Sequence, residues 1–356
     1  MTARSRVEPV GQATMADVAR LAGVSKMTVS RLLTNPAAVA EETAERIRAA
    51  IERLGYVPDR VAGSLSSRRT GFVALVLPTL TNTNFADTAH GLTDALRAEG
   101  YQLIIGYTMY DEAEEEQVVR ALLARRPEAL VLAETVHARA TTQLLLGAGI
   151  PVVEIWERLD RPIDRAVGFS NLEAGRAAAR HLLELGHRRI AALGPGDGGR
   201  VVDHRAMRRL DGFAAALREA GVSDGLVLRH GPTPFSFGEG AAALAALLER
   251  GQRPTAVFAA SDLSAVGALT ECQRRGIAVP EDISVMGFGD FEIGRICVPS
   301  LSTIRVDARA IGSAAGQLVL QMLGVGGRTA PEAVATLDLG FDVVARQSTR
   351  QLADEA

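Results

Sequence analysis

The apolar positions of the chain follow one pattern after about residue 71 and another before it. From Phe72 onward, short apolar runs such as FVALVL, YQLIIG and ALVLA alternate with stretches whose apolar residues recur every three or four positions. Short apolar runs predict buried strands, and the longer periodic stretches predict amphipathic helices. A second series of the same kind runs from RRIAAL to ISVMGF. The alternation predicts α/β class, with a doubly wound, mostly parallel architecture present twice.

An internal repeat supports the duplication. The segments 91–100 and 212–221 share two glycines and an Ala-Leu-Arg triplet at a constant offset of 121 residues. In sheets of this kind the carboxyl ends of the strands open onto a cleft in which ligands bind. We therefore expect a ligand pocket between two lobes.

The first seventy residues carry helical signals instead. Thr14, three residues before an aspartate, predicts the capped start of a short helix, and Ser25 predicts the start of a second helix. Gly23 supplies the turn between them, and a third helix is predicted over 42–54. Two short helices joined by a glycine-containing turn are typical of a helix-turn-helix.

The second helix separates an inward face from an outward face, because residues four apart lie on the same side of a helix. The expected core of this segment consists of Val18, Leu21, Val29 and Leu33. The outward face then carries Lys26, Met27, Ser30 and Arg31. Such side chains can reach base edges or phosphates in a major groove. A three-helix bundle with a solvated polar face would show the same pattern.

Composition excludes several classes of protein. The chain has 356 residues, of which 47% are hydrophobic and 23% charged, and its apolar runs are far shorter than the ~20 residues of a membrane span. Two cysteines are too few for a disulfide framework or a structural zinc site, and the N-terminus has no apolar leader. We expect a cytoplasmic protein that binds neither membranes nor metals.

The charges are divided unevenly along the chain. Residues 1–70 hold eleven Lys and Arg against seven Asp and Glu, a balance of +4. Residues 71–356 hold 28 against 35, a balance of −7. This asymmetry indicates an anionic partner for the first segment alone.

One glycine-rich stretch matches a dinucleotide-binding fingerprint without its expected context. GPGDGG at 194–199 satisfies G-x-G-x-x-G, but Pro195 removes an amide and no helix is predicted directly after the loop. No arrangement of nucleophile, base and orienting group is evident either. We predict that the protein is not an enzyme and uses no cofactor.

The motifs of the first segment identify a family. TMADVARLAGVSKMTVSRLLTNP, followed by LGYVPDRVAGSLSSRRTG, resembles the headpiece and hinge of the lactose-repressor family of bacterial transcription regulators, and the resemblance continues to about residue 346. It implies a homodimer on double-stranded, pseudo-palindromic operator DNA, with a small effector in the cleft. The resemblance implies that Leu65 enters the minor groove. The other expected DNA contacts are Thr14, Ser25, Lys26, Met27, Thr28, Ser30, Arg31 and Asn35.

The resemblance also divides the chain. The expected parts are a flexible N-terminus (1–11), a helix-turn-helix headpiece (12–57), a hinge (58–71), an effector domain (72–346) and a tail (347–356). Lobe one is expected to comprise about 72–168 and 304–328, and lobe two about 169–303 and 329–346. The effector domain resembles type I periplasmic sugar-binding proteins. A solute-binding protein without a DNA role is therefore the alternative, and it would require export.

The expected effector site centres on Arg209. It lies in RLDGF, which matches the family's R-x-x-G-[FYW] stretch, where the resemblance implies an arginine that holds an effector carboxylate or hydroxyls. A guanidinium suits a carboxylate because it can bind both oxygens, although a solvated helix arginine is the alternative. Further expected contacts are Phe85, Glu154, Trp156, Ser261, Asp262 and Asp290. Core packing would equally explain the two aromatic residues, and helix capping would explain Asp262.

Two features favour an acidic effector. Gly289 stands where many relatives have a sugar-binding aspartate, so an acceptor and a negative charge are missing from the cleft. The cues SKMTVSR, LPTLTNTNFAD and GIPVVEIWE resemble the gluconate-operon repressors, which implies a sugar acid such as gluconate or a phosphorylated relative. The choices between repression and activation, and between inducer and co-repressor, stay open at this point.

Overall fold

The computed structural model describes residues 13–57, 70–196, 200–224, 226–233, 235–329 and 335–352. The chain divides into two compact units, Met1–Thr70 and Gly71–Ala356. The expected flexible N-terminus, most of the expected hinge with Leu65, and the end of the GPGDGG stretch lie outside the described residues.

The described residues of the first unit form three α-helices, as predicted. They are α1 (Met15–Ala22), α2 (Lys26–Thr34) and α3 (Glu41–Leu54), with a single 3₁₀ turn at Pro36–Ala38. The backbone amide of Thr14 donates to Asp17 Oδ2 at 3.0 Å, and the Thr14 side chain accepts from the Asp17 amide, which completes a capping box. Ser25 Oγ accepts from the backbone amide of Thr28 at 3.1 Å and caps α2. These caps define the predicted helix starts.

The core of the first unit differs from the prediction at two leucines. Val18 and Val29 are fully buried, but Leu21 and Leu33 are 43% and 37% exposed. Leu32, 5% exposed, fills the place expected for Leu33. The inward face of α2 therefore runs through positions three apart instead of four apart, and both spacings are compatible with one side of a helix.

The second unit contains two six-stranded sheets. The first has the order β11-β5-β4-β3-β1-β2 and the second the order β12-β10-β9-β8-β6-β7. The strands of the first sheet are β1 (Phe72–Leu77), β2 (Gln102–Tyr107), β3 (Ala129–Leu132), β4 (Val152–Ile155), β5 (Arg165–Gly168) and β11 (Thr336–Asp338). Those of the second are β6 (Ile190–Gly194), β7 (Val227–Arg229), β8 (Ala256–Ala259), β9 (Ser284–Phe288), β10 (Ser302–Arg305) and β12 (Asp342–Val344). All neighbouring strands are parallel except β10 and β12, so the duplicated doubly wound architecture is confirmed.

Nine α-helices connect the described strands. They are α4 (Thr83–Arg97), α5 (Glu112–Leu123), α6 (Arg139–Gly147), α7 (Asn171–Glu184), α8 (His204–Glu219), α9 (Phe237–Glu249), α10 (Asp262–Arg275), α11 (Glu292–Ile296) and α12 (Ala308–Met322). A 3₁₀ turn at Val325–Gly327 follows α12. Within the described ranges, no helix combines the length and the apolar character needed to cross a membrane.

The chain passes between the lobes near its C-terminal end at positions that differ from the expected lobe boundaries. Strand β10 pairs with β9 in the second sheet, with Ser302 opposite Met286, so the chain returns to lobe one only after Arg305. The assignment of 329–346 to lobe two is wrong for β11, because Thr336 pairs with Ala166 of the first sheet. These strands have three or four residues each, and such short runs carry no pattern that selects one sheet over the other.

Pairs of helices in both lobes approach each other through glycines. In lobe one, a Cβ added to Gly91 or Gly312 would lie well under 3.0 Å from a carbonyl oxygen of the partner helix, α12 or α4. In lobe two, Gly175 of α7 and Gly212 of α8 are related in the same way. Gly91 and Gly212 are the first glycines of the internal repeat. The repeat therefore preserves a backbone contact that larger residues would prevent.

We predict that Gly212→Ala destabilises the second unit by about 1–3 kcal/mol, because the new methyl group overlaps the backbone of α7. Chemical denaturation followed by circular dichroism measures the change. Gly147→Ala is the matched control, since a Cβ at that helical position meets no atom within 4 Å. It should leave stability unchanged or raise it slightly. Equal midpoints for the two variants would contradict the packing argument.

Candidate functional site

A pocket lies between the two lobes of the second unit, at the carboxyl ends of strands from both sheets. Its empty volume, including its mouth, is about 640 Å³. Lobe one contributes polar and aromatic side chains, from Thr79, Thr81, Asn82, Asn84, Phe85, Tyr110 and Trp156. Lobe two contributes two arginines, an aspartate and mostly apolar residues, namely Pro195, Asp203, Arg205, Ala206, Arg209, Phe235, Ala260, Ser261, Leu263, Phe288 and Phe291. The lining, mainly apolar and aromatic with a few converging polar groups, is typical of a small-molecule site.

The aromatic wall of the pocket is built around Trp156. Its ring meets Phe85 edge to face at 5.5 Å between centroids, and Phe169 at 6.0 Å in the same manner. The indole Nε1 donates to Thr88 Oγ1 at 3.2 Å, so the polar edge of the ring is satisfied inside the protein. The backbone of Trp156 has φ +75°, which is costly for a bulky residue and is tolerated mainly at functional sites. Trp156 and Phe85 thus both line the pocket, as expected from the sequence.

Arg209 presents its guanidinium to the pocket. It is 6% exposed, and its guanidinium carbon lies 3.9 Å from the centroid of the Phe288 ring. Nε donates to the carbonyl oxygen of Ala260 at 3.1 Å, and Nη1 donates to Asn171 Oδ1. Within the described residues Nη2 has no hydrogen-bond partner, which leaves its two N–H groups for a ligand. Burial lowers the pKa of Arg209 to about 10, so the group stays charged at neutral pH.

Arg205 is a pocket residue that the sequence did not single out. It is buried, and Nη1 and Nη2 donate to the carbonyl oxygen of Ala133 and to Glu134, both in the opposite lobe. Burial opposes its charge, but Glu134 and Asp203 raise the pKa of Arg205 above its usual value. Its spacing of four residues from Arg209 places both on one face of α8. That spacing is the signal that could have found it.

Asp203 and Glu134 are the acidic groups near the two arginines. Asp203 lines the pocket and caps α8, because Oδ1 accepts from the backbone amide of Ala206 at 3.0 Å. Glu134 is buried beside Arg205, at 3.2 Å from Nη2 to Oε1. Burial raises the pKa of Glu134 to about 7, although Arg205 lowers it. Arg205 therefore contacts acidic neighbours directly, whereas the direct contacts of Arg209 are with neutral groups and Asp203 acts on its charge from a greater distance.

Glu154, an expected effector contact, does not belong to the lining of this pocket. Its carboxylate is buried away from the pocket lining, where Oε2 accepts from the backbone amide of Ile163 at 2.6 Å. Oε1 lies 3.4 Å from His137 Nε2, and the other ring nitrogen lies 3.0 Å from Glu115. Glu154 belongs to a buried Glu-His-Glu cluster that holds lobe one together.

Asp262 and Asp290 also lie outside the pocket lining, contrary to expectation. Asp262 is fully buried and accepts from Thr303 Oγ1 at 2.7 Å and from the backbone amide of Phe291 at 2.8 Å, and burial raises its pKa to about 7. Asp290 Oδ1 forms an ion pair with Arg346 at 2.5 Å. Both carboxylates are therefore bonded to protein groups from other parts of the chain. Ser261, next to Asp262, does line the pocket.

The candidate DNA-contacting face lies on α2 of the first unit. Met27 is 71% exposed, and Lys26 and Arg31 are exposed as well, while Val29 points into the core. Thr14, Ser25 and Thr28 belong to helix caps, and Asn35 follows the last residue of α2, its amide donating to the Arg31 carbonyl at 2.8 Å. The start of α2 therefore presents a cation and a long apolar side chain outward, as expected.

In the described part of the chain, no group of three or more His, Cys, Asp or Glu side chains could hold a metal ion. Cys272 is buried and Cys297 is half-buried, and both are free thiols.

Both units match family models. The model described as bacterial regulatory proteins, lacI family, matches residues 14–59, and a periplasmic binding protein-like domain matches residues 179–349. The chain is 38% identical over 339 residues to the HTH-type transcriptional regulator GntR of Pseudomonas aeruginosa, covering 95% of this chain and 96% of that protein.

Solved structures agree over the same length. A LacI-family transcriptional regulator from Silicibacter pomeroyi superimposes with a TM-score of 0.86 at 32% identity, over 95% of this chain and 99% of that one. The lac repressor dimer bound to operator and the anti-inducer ONPF gives a TM-score of 0.80 at 26% identity, with the same coverage.

The buried Glu-His-Glu cluster predicts an unusual histidine. Burial alone would lower the pKa of His137, but its contacts with Glu115 and Glu154 raise it to about 9, above the ordinary 6.5. The folded state therefore binds this proton more tightly than the unfolded state. The resulting stabilisation is fully present below about pH 6.5 and is lost as the pH rises through about 9.

An NMR titration of the histidine ring protons tests this. His137 should stay protonated at pH 7.5, whereas His187, whose pKa burial lowers, should be neutral there. In Glu154→Gln the pKa of His137 should fall. A His137 pKa at or below the ordinary value in the parent protein would contradict the prediction.

Proposed function

Since the chain belongs to the lacI family of bacterial regulatory proteins, we propose that it is a repressor whose affinity for operator DNA is controlled by a small sugar acid bound between its lobes. The observation that carries the effector part is Arg209, a buried guanidinium that stays charged, contacts neutral groups and lines a pocket with an aromatic wall.

The first unit supplies the DNA contacts. In a helix-turn-helix the second helix lies in the major groove with its N-terminal residues at the base edges. Lys26 and Met27 start α2 and are exposed, so they suit base readout, while Arg31 suits phosphates. The basic balance of residues 1–70 supports the same assignment. Two copies of the chain would read the two halves of a pseudo-palindromic operator.

The pocket suits a polyhydroxylated acid. The aromatic wall of Trp156 and Phe85 fits the C–H face of a sugar chain, and the threonine, asparagine and serine side chains of the lining can bond hydroxyl groups. Arg209 supplies a charged donor for a carboxylate. Gluconate and its phosphorylated relatives have this chemistry.

Movement of the two lobes can couple effector binding to DNA affinity. Because the lining comes from both lobes, a bound effector favours their closed arrangement, and its influence on DNA affinity equals its differential affinity for the two states. A coupling of ~1–3 kcal/mol is typical of regulators. Access to an operator places the protein in the bacterial cytoplasm. A solute-binding role is excluded by the helix-turn-helix unit and by relatives named as transcriptional regulators.

The DNA assignment predicts that a fragment of residues 71–356 loses operator binding. In the full chain, Lys26→Ala and Met27→Ala should change the preferred bases more than the general affinity, because these residues reach base edges. Binding of the parent should weaken steeply with salt. Fluorescence anisotropy with operator variants measures each effect, and operator binding by the fragment comparable to that of the full chain would contradict the assignment.

The effector assignment predicts that Arg209→Ala lowers affinity roughly 10- to 150-fold, the value of one charge-assisted contact. Arg209→Lys should recover part of the loss, since an ammonium keeps the charge without the fork. Calorimetry with gluconate and 6-phosphogluconate makes the measurement, with a thermal melt to confirm that each variant is folded. The exposed Arg218 of the same helix provides the control, Arg218→Ala.

The Arg209→Ala variant also distinguishes an inducer from a co-repressor. Operator binding without effector should be unchanged in Arg209→Ala, because Arg209 belongs to the second unit. If the effector is an inducer, repression no longer lifts at ordinary effector concentration. If it is a co-repressor, the variant fails to repress. An unchanged dissociation constant would remove Arg209 from the site.

A further inference from the structure

Two segments from opposite lobes meet at the mouth of the pocket. One is residues 200–203, which lead into α8, and the other is residues 108–111, which lead into α5. The backbone amide of Val202 donates to the carbonyl oxygen of Tyr110 at 3.2 Å, and Val201 and Asp111 form an isolated antiparallel bridge. The lobes are thus joined here by main-chain contacts, which do not depend on a particular side chain.

An ion pair reinforces the junction. Arg200 donates to Asp111 Oδ2 from Nε at 2.8 Å and from Nη2 at 2.5 Å. The Asp111 side chain is 11% exposed, and its other oxygen accepts from the amide of Ala113 at 2.9 Å as the cap of α5. The carboxylate is therefore held in place before Arg200 arrives. The Arg200 side chain is 76% exposed, so it can release without disturbing a core.

The junction is continuous with the pocket on both sides. Tyr110 precedes Asp111 and lines the pocket, and Asp203 follows Val202 and lines it as well. Other contacts also join the lobes: Arg205 contacts Glu134, and His204 Nε2 lies 3.6 Å from Glu112 Oε1. Opening the lobes must break the junction as well as these contacts.

We propose that residues 200–203 form a strap that closes the pocket. The ion pair between Arg200 and Asp111 is the latch of this strap. The two partners lie on different lobes, so the latch stabilises only the closed arrangement. Because the Arg200 side chain is largely exposed and Asp111 keeps its helix-cap bond, loss of the ion pair should cost little global stability and speed opening without unfolding the lobes. The consequence for effector release rests on the proposed function, whereas the closure itself does not.

The strap is tested without any ligand. Hydrogen exchange of the Val202 amide should accelerate roughly two- to fivefold in Arg200→Ala and in Asp111→Asn, the effect of losing one surface ion pair. Asparagine also caps helices well, so Asp111→Asn preserves the start of α5. The control is Arg120→Ala, which removes the exposed ion pair of Arg120 with Glu116 in the same lobe. Exchange at Val202 equal to that of the parent in both latch variants would overturn the proposal.

A second readout uses Trp156, the single tryptophan of the chain. Acrylamide should quench its fluorescence more strongly in Arg200→Ala than in the parent or in Arg120→Ala, because the pocket opens more often. With gluconate as the probe, stopped-flow fluorescence should show dissociation accelerated by a similar factor. If gluconate does not bind the parent, the proposed effector is wrong, while the exchange measurement still decides the strap.

Discussion

The contact between helices α7 and α8 determines where the chemistry of the pocket is placed. Gly175 of α7 lies directly against the carbonyl oxygen of Arg209, so close that a Cβ would overlap it. The backbone position of Arg209 is therefore set by van der Waals contact with another helix. From that position its guanidinium reaches the Phe288 ring and Asn171. A looser packing of the two helices would move the charged group relative to everything it touches.

The two lobes share a scaffold and differ in chemistry. Gly91 and Gly212 occupy equivalent positions of the internal repeat and allow equivalent helix contacts. Yet the arginines of the pocket come from α8 of lobe two, while Trp156 and most hydroxyl and amide groups come from lobe one. A ligand that needs both a cation and an aromatic surface must contact both lobes. This division lets a bound ligand favour the closed arrangement, which is the requirement for a switch.

Sequence patterns correctly predicted the features that depend on residues close together in the chain. Buried parallel strands such as Phe72–Leu77 are continuous apolar runs, and helix caps such as Thr14 depend on residues three positions away. The placements that differ from the expectations depend largely on partners far along the chain. Asp290 binds Arg346, which is 56 residues away, as well as the nearby Arg295, and β11 joins the sheet of lobe one beside β5. The residues next to them in the sequence do not indicate which partners they bind.

The charge distribution inside the pocket supports the proposal that the effector is an anion. A buried guanidinium is stable only when its lost hydration is replaced, and Arg205 receives that replacement from Glu134 and Asp203. Within the described residues, Arg209 is bonded to an amide oxygen and a carbonyl oxygen and stacks on Phe288, all of which are neutral. Burial, together with the positive charge of nearby Arg205, lowers the pKa of Arg209, and the negative charge of Asp203 offsets this only in part. The carboxylate of the proposed effector, bound at Nη2, would supply negative charge there. Part of the free energy of effector binding would then come from offsetting the desolvation of Arg209 that occurs on folding.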